Sequence, residues 1–355
     1  MSRPIFAHID RQALRHNLDI IRQRAPNSRI MGVVKANAYG HGLQAVLPAL
    51  ETADSLAVAS MEEALQLRHL GWNKAILLLE GVFEASELNE CIAQQLSVVV
   101  HQREQLQMLL AHQFSAPLQV FVKLNSGMNR LGLNPADYHA SIQALRQVPM
   151  LSHLTQISHF ATADEIHGVA EQMQVITPHF AAHPYPISLA NSAAIFRHPD
   201  THRQWVRPGI ALYGASPFQG ISAEDLQLKP VMTLHSRIIA IQTLQANQAV
   251  GYGQNWIANC TTRVGIVACG YADGYPRHAG TGTPILVENQ RTHTLGRVSM
   301  DMLCVDLTGI PNAQIGSPVV LWGEGLPVEQ VAQAAGTLNY ELLCARAQRV
   351  PEQNT

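Results

Sequence analysis

Apolar runs of strand length alternate with segments of helical period along roughly the first two thirds of the chain. Segments such as MEEALQLRHL and REQLQMLLAH lie between the runs and place apolar residues at helical spacing. Buried parallel strands joined by helical crossovers are typical of a (β/α)8 barrel, although a doubly wound open sheet gives a similar pattern. The eight runs are IMGVV (30–34), SLAVA (55–59), AILLL (75–79), LSVVV (96–100), LQVFVKL (118–124), LTQISHF (154–160), PISLA (186–190) and QWV (204–206).

Two further regions flank this alternation. Near the start, PIFAHID predicts a short strand, and Asp10 can cap the helix that follows it. After about residue 228, runs such as MTLHSRIIAIQTL, TRVGIVACGYADG and GSPVVLWGE are rich in β-forming residues, and only VEQVAQAAG has a helical pattern. We therefore predict an α/β fold with an N-terminal TIM barrel over residues 1–228 and a mainly β C-terminal domain over residues 229–355.

The composition narrows the class of protein. Of 355 residues, 47% are hydrophobic and 14% charged, and the net charge of -2 gives no field that would attract nucleic acid or an anionic membrane. The opening stretch MSRPIFAHIDRQALRHN lacks an apolar signal region, and no segment approaches the ~20 apolar residues of a membrane span. We expect a cytoplasmic, enzyme-sized globular protein that binds neither nucleic acid nor a membrane.

The cysteines predict neither a disulfide framework nor a metal site. They are odd in number, scattered along the chain and without a C-x-x-C pair, so we interpret them as small core residues. The five are Cys91, Cys260, Cys269, Cys304 and Cys344.

Polar residues at the ends of the predicted strands are the candidates for chemistry. In a barrel these ends form one rim, so the side chains would make a cationic cup suited to a ligand with phosphate and carboxylate groups. Ser192 and the backbone N–H groups near Gly209 and Ile210 could bind phosphate, and Lys35 could react with an aldehyde cofactor. The residues at the rim are Lys35, Lys123, Arg130, His159, Asn191, Ser192 and Arg207.

Ten motifs in order along almost the whole chain resemble bacterial alanine racemases. These are pyridoxal 5'-phosphate (PLP) enzymes with a (β/α)8 barrel and a C-terminal β domain, and they interconvert L-alanine and D-alanine, which supplies or degrades a peptidoglycan precursor. The motifs are IDRQALRHNL, VVKANAYGHG, VKLNSGMNRLG, SHFATADE, ANSAA, VRPGIALYG, VGYGQNW, GYADGYPR, GRVSMDM and NYELLC.

The resemblance implies a role for each matching residue. Lys35 would hold the cofactor covalently and serve as one catalytic base. Tyr252 would be the second base, contributed by the partner subunit of a head-to-tail homodimer. His159 would lie along the cofactor ring, Arg207 would face the ring nitrogen, and Asn191 would belong to the cofactor-binding group. The phosphate contacts would be Tyr39, Ser192, Gly209 and Ile210.

The substrate side is implied in the same way. Arg130 and the backbone of Met300 would hold the alanine carboxylate, and Tyr271 and Asp301 would line the entry and the dimer side. Lys123 matches a position that carries a carbamate in many members. Three positions depart from the family pattern: members often have Asp at Asn125, some have Cys at Ser299, and many have Tyr at Gln348.

Three alternatives stay open on this scaffold: a broad-specificity racemase, a non-catalytic PLP carrier and a decarboxylase. The β domain with Tyr252 counts against a carrier. Arg207 counts against a decarboxylase, which would have an acidic residue there. A guanidinium does not give its proton to the ring nitrogen, so the ring stays a weaker electron sink and transamination is suppressed.

Overall fold

The chain begins with strand β1 (Phe6–Ile9) and helix α1 (Arg11–Arg24) in this computed structural model, which describes residues 3–151 and 153–354. The Asp10 side chain caps α1 by accepting hydrogen bonds from the backbone N–H groups of Gln12 and Ala13. The apolar face of α1 is buried. The predicted start of this helix is therefore confirmed.

Eight parallel strands form a closed barrel. The last of them pairs with the first, so the ring is complete and the doubly wound open sheet is ruled out. Each predicted apolar run coincides with one of these strands, including the shortest run, and only the first strand begins one residue before its run. The strands are β2 (Arg29–Val33), β3 (Ser55–Val58), β4 (Ala75–Leu78), β5 (Leu96–Val100), β6 (Val120–Lys123), β7 (Leu154–Ile157), β8 (Ile187–Ser188) and β9 (Trp205–Val206).

Helices lie between the barrel strands and cover them, as parallel connections require. Every helix within the described residues is too short or too polar to cross a membrane. The helical segments are α2 (Lys35–Tyr39), whose backbone is left-handed from Ala36 to Tyr39, α3 (Leu43–Val46), α4 (Met61–His69), α5 (Glu87–Ala93), α6 (Arg103–Ala111), α7 (Pro135–Leu145), α8 (Ala170–Ala181) and α9 (Ser192–Arg197).

The C-terminal domain is mainly β. Strand β10 pairs along its length with β1, β17 and β13. Its pairing with β13 closes a ring of six strands, in the order β10, β17, β14, β15, β16 and β13, whereas β11 and β12 pair separately. Its elements are β10 (Met232–Leu244), β11 (Ala249–Val250), β12 (Trp256–Ile257), β13 (Thr262–Val267), β14 (Pro284–Val287), β15 (Gln290–Leu295), β16 (Leu303–Asp306), β17 (Pro318–Trp322), α10 (Val328–Ala335), α11 (Asn339–Cys344) and β18 (Glu352–Asn354).

The first strand of the chain belongs to this second sheet. β1 is antiparallel to β10 and parallel to β18, and it precedes the barrel in sequence. The chain therefore enters the C-terminal sheet, leaves it to build the barrel and returns. A single cut at residue 228 does not separate the two sheets.

Candidate active site

Four basic side chains stand at one rim of the barrel, where the strands end. Lys123 is the last residue of β6, and Arg207 directly follows β9. Lys35 and His159 each stand two residues after a strand, β2 and β7 respectively. The carboxyl ends of barrel strands form the face that carries active sites. The structure thus brings together four residues that are far apart in sequence.

Arg207 is buried and held by several acceptors. Its Nη1 donates to the Ser188 hydroxyl at 2.6 Å, and its Nη2 donates to the Ser158 carbonyl at 2.7 Å. Burial lowers the pKa of Arg207 to about 10, so the guanidinium still carries its charge at neutral pH. Its Nη2 also lies 3.3 Å from Nδ1 of His159, which makes that nitrogen an acceptor.

The positive charges at the rim lower the pKa values of His159 and Lys123. Burial, and then the charges of Arg207 and Lys123, hold the pKa of His159 well below its usual range, so the imidazole is neutral. Burial, and then the charges of Arg207, Arg130 and Lys35, lower the pKa of Lys123 to about 8. The site therefore holds concentrated positive charge that favours an anionic ligand.

Arg130 is exposed and lies at the end of a tightly folded loop after β6. The Asn125 side-chain oxygen accepts from the backbone N–H groups of Gly127 and Asn129, each at 3.1 Å. Asn129 itself is left-handed, with φ of 55°. An amide oxygen thus shapes the loop at Asn125, one of the positions where the sequence departs from the pattern that the resemblance implies.

A second part of the site is built from backbone N–H groups and small residues. The Ser192 hydroxyl accepts from the backbone N–H groups of Gly209 at 2.9 Å and Ala211 at 3.3 Å. A side chain at Gly209 would place its Cβ only 2.5 Å from the Tyr39 hydroxyl, so glycine is required there. Ile210 begins the 3-10 turn that follows. Tyr39, Ser192 and this segment therefore lie together.

Asn191 stands beside this group, and its side chain has a structural contact. Its oxygen accepts from the backbone N–H of Ala194 at 3.0 Å and caps α9. Tyr39 is buried, and burial raises the pKa of Tyr39, so its hydroxyl keeps its proton and can donate.

The connection from Lys35 to Tyr39 has an unusual backbone that sequence reasoning missed. Four consecutive residues that are not glycine, Ala36 to Tyr39, have left-handed φ values between 51° and 55°. Asn37 oxygen accepts from the backbone N–H of Leu43 at 2.9 Å and stabilises the turn. No sequence signal other than this asparagine favours such a conformation.

Two tyrosines behind Tyr39 were also missed. Tyr213 stacks on Tyr39 with ring centroids 4.9 Å apart and donates to the Val33 carbonyl at 3.0 Å. Tyr340 of α11 lies 6.2 Å from the Tyr39 ring, centroid to centroid. Both lie in motifs that carry the family resemblance, VRPGIALYG and NYELLC, but the resemblance implied no role for either residue. The C-terminal domain thus contacts the site directly.

The remaining predicted residues lie in the C-terminal domain. The backbone N–H of Tyr271 donates to the Ser299 carbonyl at 3.0 Å, so Tyr271 lies beside the segment that contains Met300. Tyr252 is 73% exposed, and among the described residues no hydrogen bond or ring contact joins it to the barrel rim. Gln348 is exposed. The structure therefore does not bring Tyr252 to Lys35 within one chain.

An ion-pair network ties the loops that contain Tyr271 and Met300 to both ends of the chain. The buried Asp273 carboxylate accepts from Arg3 at 2.5 and 2.8 Å and from Arg349 at 2.8 Å. Arg349 also donates to the Asp301 side chain at 2.7 Å, and Arg3 donates to the Asp301 carbonyl at 2.7 Å. Sequence reasoning found Asp301 but missed Asp273, although GYADGYPR contains it.

Comparisons with known proteins agree along the whole chain. A family model described as the alanine racemase N-terminal domain matches residues 9–217, and one described as the alanine racemase C-terminal domain matches residues 231–354. An alanine racemase of Nitrosospira multiformis is 53% identical, and a catabolic alanine racemase of Salmonella typhimurium is 51% identical; each match covers 99% of both chains.

Solved structures give the same result. The biosynthetic alanine racemase from Pseudomonas aeruginosa is 46% identical with a TM-score of 0.97, and the match covers 99% of each chain. The alanine racemase from Acinetobacter baumannii is 40% identical with a TM-score of 0.94 and covers 99% of this chain and 100% of its own. The two-domain fold predicted from the sequence is confirmed.

Proposed function

Because the chain belongs to the alanine racemase family, we propose that it interconverts L-alanine and D-alanine with PLP as cofactor. The observation that carries the proposal is the rim geometry: Lys35 stands at the barrel rim between a cationic cup and a cradle of backbone N–H groups. Both enantiomers carry a carboxylate, which such a cup favours.

The cradle fits the phosphate of PLP. Gly209 has space for no side chain, and the Tyr39 hydroxyl keeps its proton, so backbone and hydroxyl donors can both face a phosphate. When bound, PLP would withdraw electrons from the α-carbon of alanine and make its proton removable. Arg207 would lie at the ring nitrogen and, since it stays charged, would not pass that nitrogen its proton.

Two bases on opposite faces would carry the proton exchange. Removing the α-proton from one face and returning one to the other inverts the carbon, and this is general acid–base chemistry. We assign one face to the Lys35 amine and the other to the Tyr252 hydroxyl. Arg130, at the end of its folded loop, and the backbone of Met300 would hold the substrate carboxylate.

Tyr252 could act only if it came from another copy of the chain. It is 73% exposed in the C-terminal domain, and Tyr271 and Met300 of the same domain are exposed as well, at 38% and 53%. Exposed large side chains that form one contiguous patch mark interaction surfaces. We propose a homodimer in which Tyr252 of one copy faces Lys35 of the other, with Tyr271 and Asp301 at the entry.

Incubation with L-alanine and PLP in D2O tests the activity. We expect deuterium to enter the α-position, seen by NMR, and chiral chromatography to reach equal amounts of both enantiomers. Lys35→Ala should lower the exchange rate by ~100-fold or more because it removes a proton-transfer group. Lys229→Ala, which changes an exposed lysine, is the matched control.

The same assay separates the rivals. Equal rates on serine or lysine would indicate a broad-specificity racemase, and release of carbon dioxide would indicate a decarboxylase. A protein that binds PLP yet exchanges no α-proton of any of these amino acids would contradict the proposal and indicate a carrier.

A further inference from the structure

The left-handed segment Ala36–Tyr39, which we call the lysine turn, is costly to form. For an L-residue other than glycine this conformation costs roughly 1–2 kcal/mol, and only asparagine and aspartate adopt it readily. Three of the four residues here are alanine or tyrosine. Contacts outside the turn must therefore hold it, and they also fix the residue from which it starts, Lys35.

Glu63 on α4 makes such a contact at the first residue of the turn. Its Oε1 accepts from the backbone N–H of Ala36 at 2.6 Å, and its Oε2 accepts from the backbone N–H of Ala59 at 2.8 Å. Ala59 follows β3 directly, and Ala36 follows Lys35. One carboxylate thus joins the ends of two neighbouring barrel strands. Hydrogen bonds to a charged acceptor are stronger than neutral ones.

This geometry differs from the one that the local sequence predicts. Ser60 caps α4, and Ser-x-x-Glu is the pattern of a capping box, in which the glutamate accepts from the backbone N–H of the capping serine. Here the Glu63 carboxylate binds Ala59 and Ala36 instead. Its two oxygens are therefore engaged on the barrel rim and not on the helix end.

The far end of the lysine turn is held independently. His41 is buried, and its Nδ1 lies 3.0 Å from the carbonyls of Ala38 and Tyr39, to which it donates. Arg346 donates to the Gly40 carbonyl at 2.6 Å. The Tyr39 end thus has its own supports, so loss of Glu63 would release the Lys35 end in particular.

We propose that Glu63 is a positioning residue that orients the Lys35 amine through the Lys35–Ala36 peptide group. This inference rests on the proposed function of Lys35. It predicts that changes at Glu63 alter how Lys35 meets the cofactor, while the Tyr39, Ser192 and Gly209 cradle remains as it is.

The test compares Glu63→Ala, Glu63→Gln and the control Glu62→Gln. Glu62 is the exposed neighbour on the same helix turn, so the control removes the same charge without touching the lysine turn. Each protein is titrated with PLP to give the affinity. Borohydride treatment and peptide mass spectrometry then give the fraction of Lys35 that carries cofactor, and alanine kinetics and melting temperature complete the set.

We expect Glu63→Ala to carry less cofactor on Lys35, to lose PLP affinity only as far as that covalent bond contributes to it, and to keep its melting temperature. Its kcat should fall ~10- to 100-fold with KM nearly unchanged, because misplacing a reacting group by about 1 Å has effects of that size. Glutamine retains one acceptor oxygen, so Glu63→Gln should fall between Glu63→Ala and the wild type. Glu62→Gln should match the wild type.

Two results would overturn the proposal. Glu63→Ala could match the wild type in Lys35 labelling and kcat, or it could lose PLP affinity and melting temperature together, which indicates a purely structural role. A wild-type protein that is labelled at Lys35 but does not racemise alanine would instead refute the proposed activity. In that case the labelling comparison still decides the role of Glu63.

Discussion

Lys123 has a lowered pKa because of where the barrel places it. Its amine is buried beside three cationic side chains, and its pKa is lowered to about 8. A neutral amine can react with carbon dioxide, whereas an ammonium group cannot. We expect the fraction of Lys123 carried as a carbamate to rise between pH 7 and 9, as measured by NMR with 13C-labelled bicarbonate.

The control for this experiment is Lys123→Ala, which should lose the carbamate signal, while Lys229→Ala should retain it. A signal that does not change with pH would contradict the prediction.

The lowered pKa of Lys123 also affects the stability of the fold. The unfolded chain keeps its lysine protons up to pH ~10.4, so between about pH 8 and 10 rising pH favours the folded state at this residue.

Individual site residues could be predicted where a polar side chain stands out against an apolar run. Lys35, His159 and Arg207 stand out as polar residues at the ends of apolar runs, and the structure places them at one rim. Their mutual distances could not be predicted, because they depend on closure of the barrel. Glu63 was not found, since its pattern with Ser60 indicates an ordinary helix cap.

Two loops of the C-terminal domain depend on one carboxylate. Burial alone would raise the pKa of Asp273, but hydrogen bonds from Arg3 and Arg349 outweigh it and lower the pKa. Asp273→Asn leaves Arg3 without a charged partner and Arg349 with Asp301 alone, and it should destabilise the fold by about 3 kcal/mol, measured by urea unfolding. Its loop lies beside Met300, so KM for alanine should rise as well.

Asp301→Asn is the matched control, since its side chain is about half exposed and binds only Arg349 among these cations. We expect a cost under ~1 kcal/mol there. The penalty at Asp273 is fully present above pH ~4 and should shrink as the pH falls through the lowered pKa of the folded state. Equal penalties for the two variants would refute this account.

At the scale of elements, periodicity predicted the barrel strands well. Each run is apolar because a strand in a closed parallel barrel is buried on both faces. The lysine turn could not be predicted, because left-handed backbone at alanine and tyrosine opposes local preference and is held by residues distant in sequence, Glu63 and Arg346.

The whole molecule determines whether a complete site can form. If Tyr252 acts on the neighbouring copy, a dimer of one Lys35→Ala subunit and one Tyr252→Phe subunit contains one intact site. Either variant alone contains none. We expect the purified mixed dimer to regain about half of the wild-type rate, because one of two symmetric sites is restored.

The mixed dimer is made by co-expression with two different affinity tags, and each variant dimer alone serves as background. A mixed dimer as inactive as its parents would show that both residues act within one copy. Loss of the regained rate on dilution would report dissociation of the two subunits.

The position of β1 has a consequence for folding during synthesis of the chain on the ribosome. Residues 6–9 emerge from the ribosome early, but their first partner, β10, begins more than two hundred residues later, and β18 lies at the far end. At ~10 residues per second β1 waits roughly 20 s without a partner. All barrel strands are complete by residue 206, so the barrel can close while β1 is still unpaired and its strand edge is exposed.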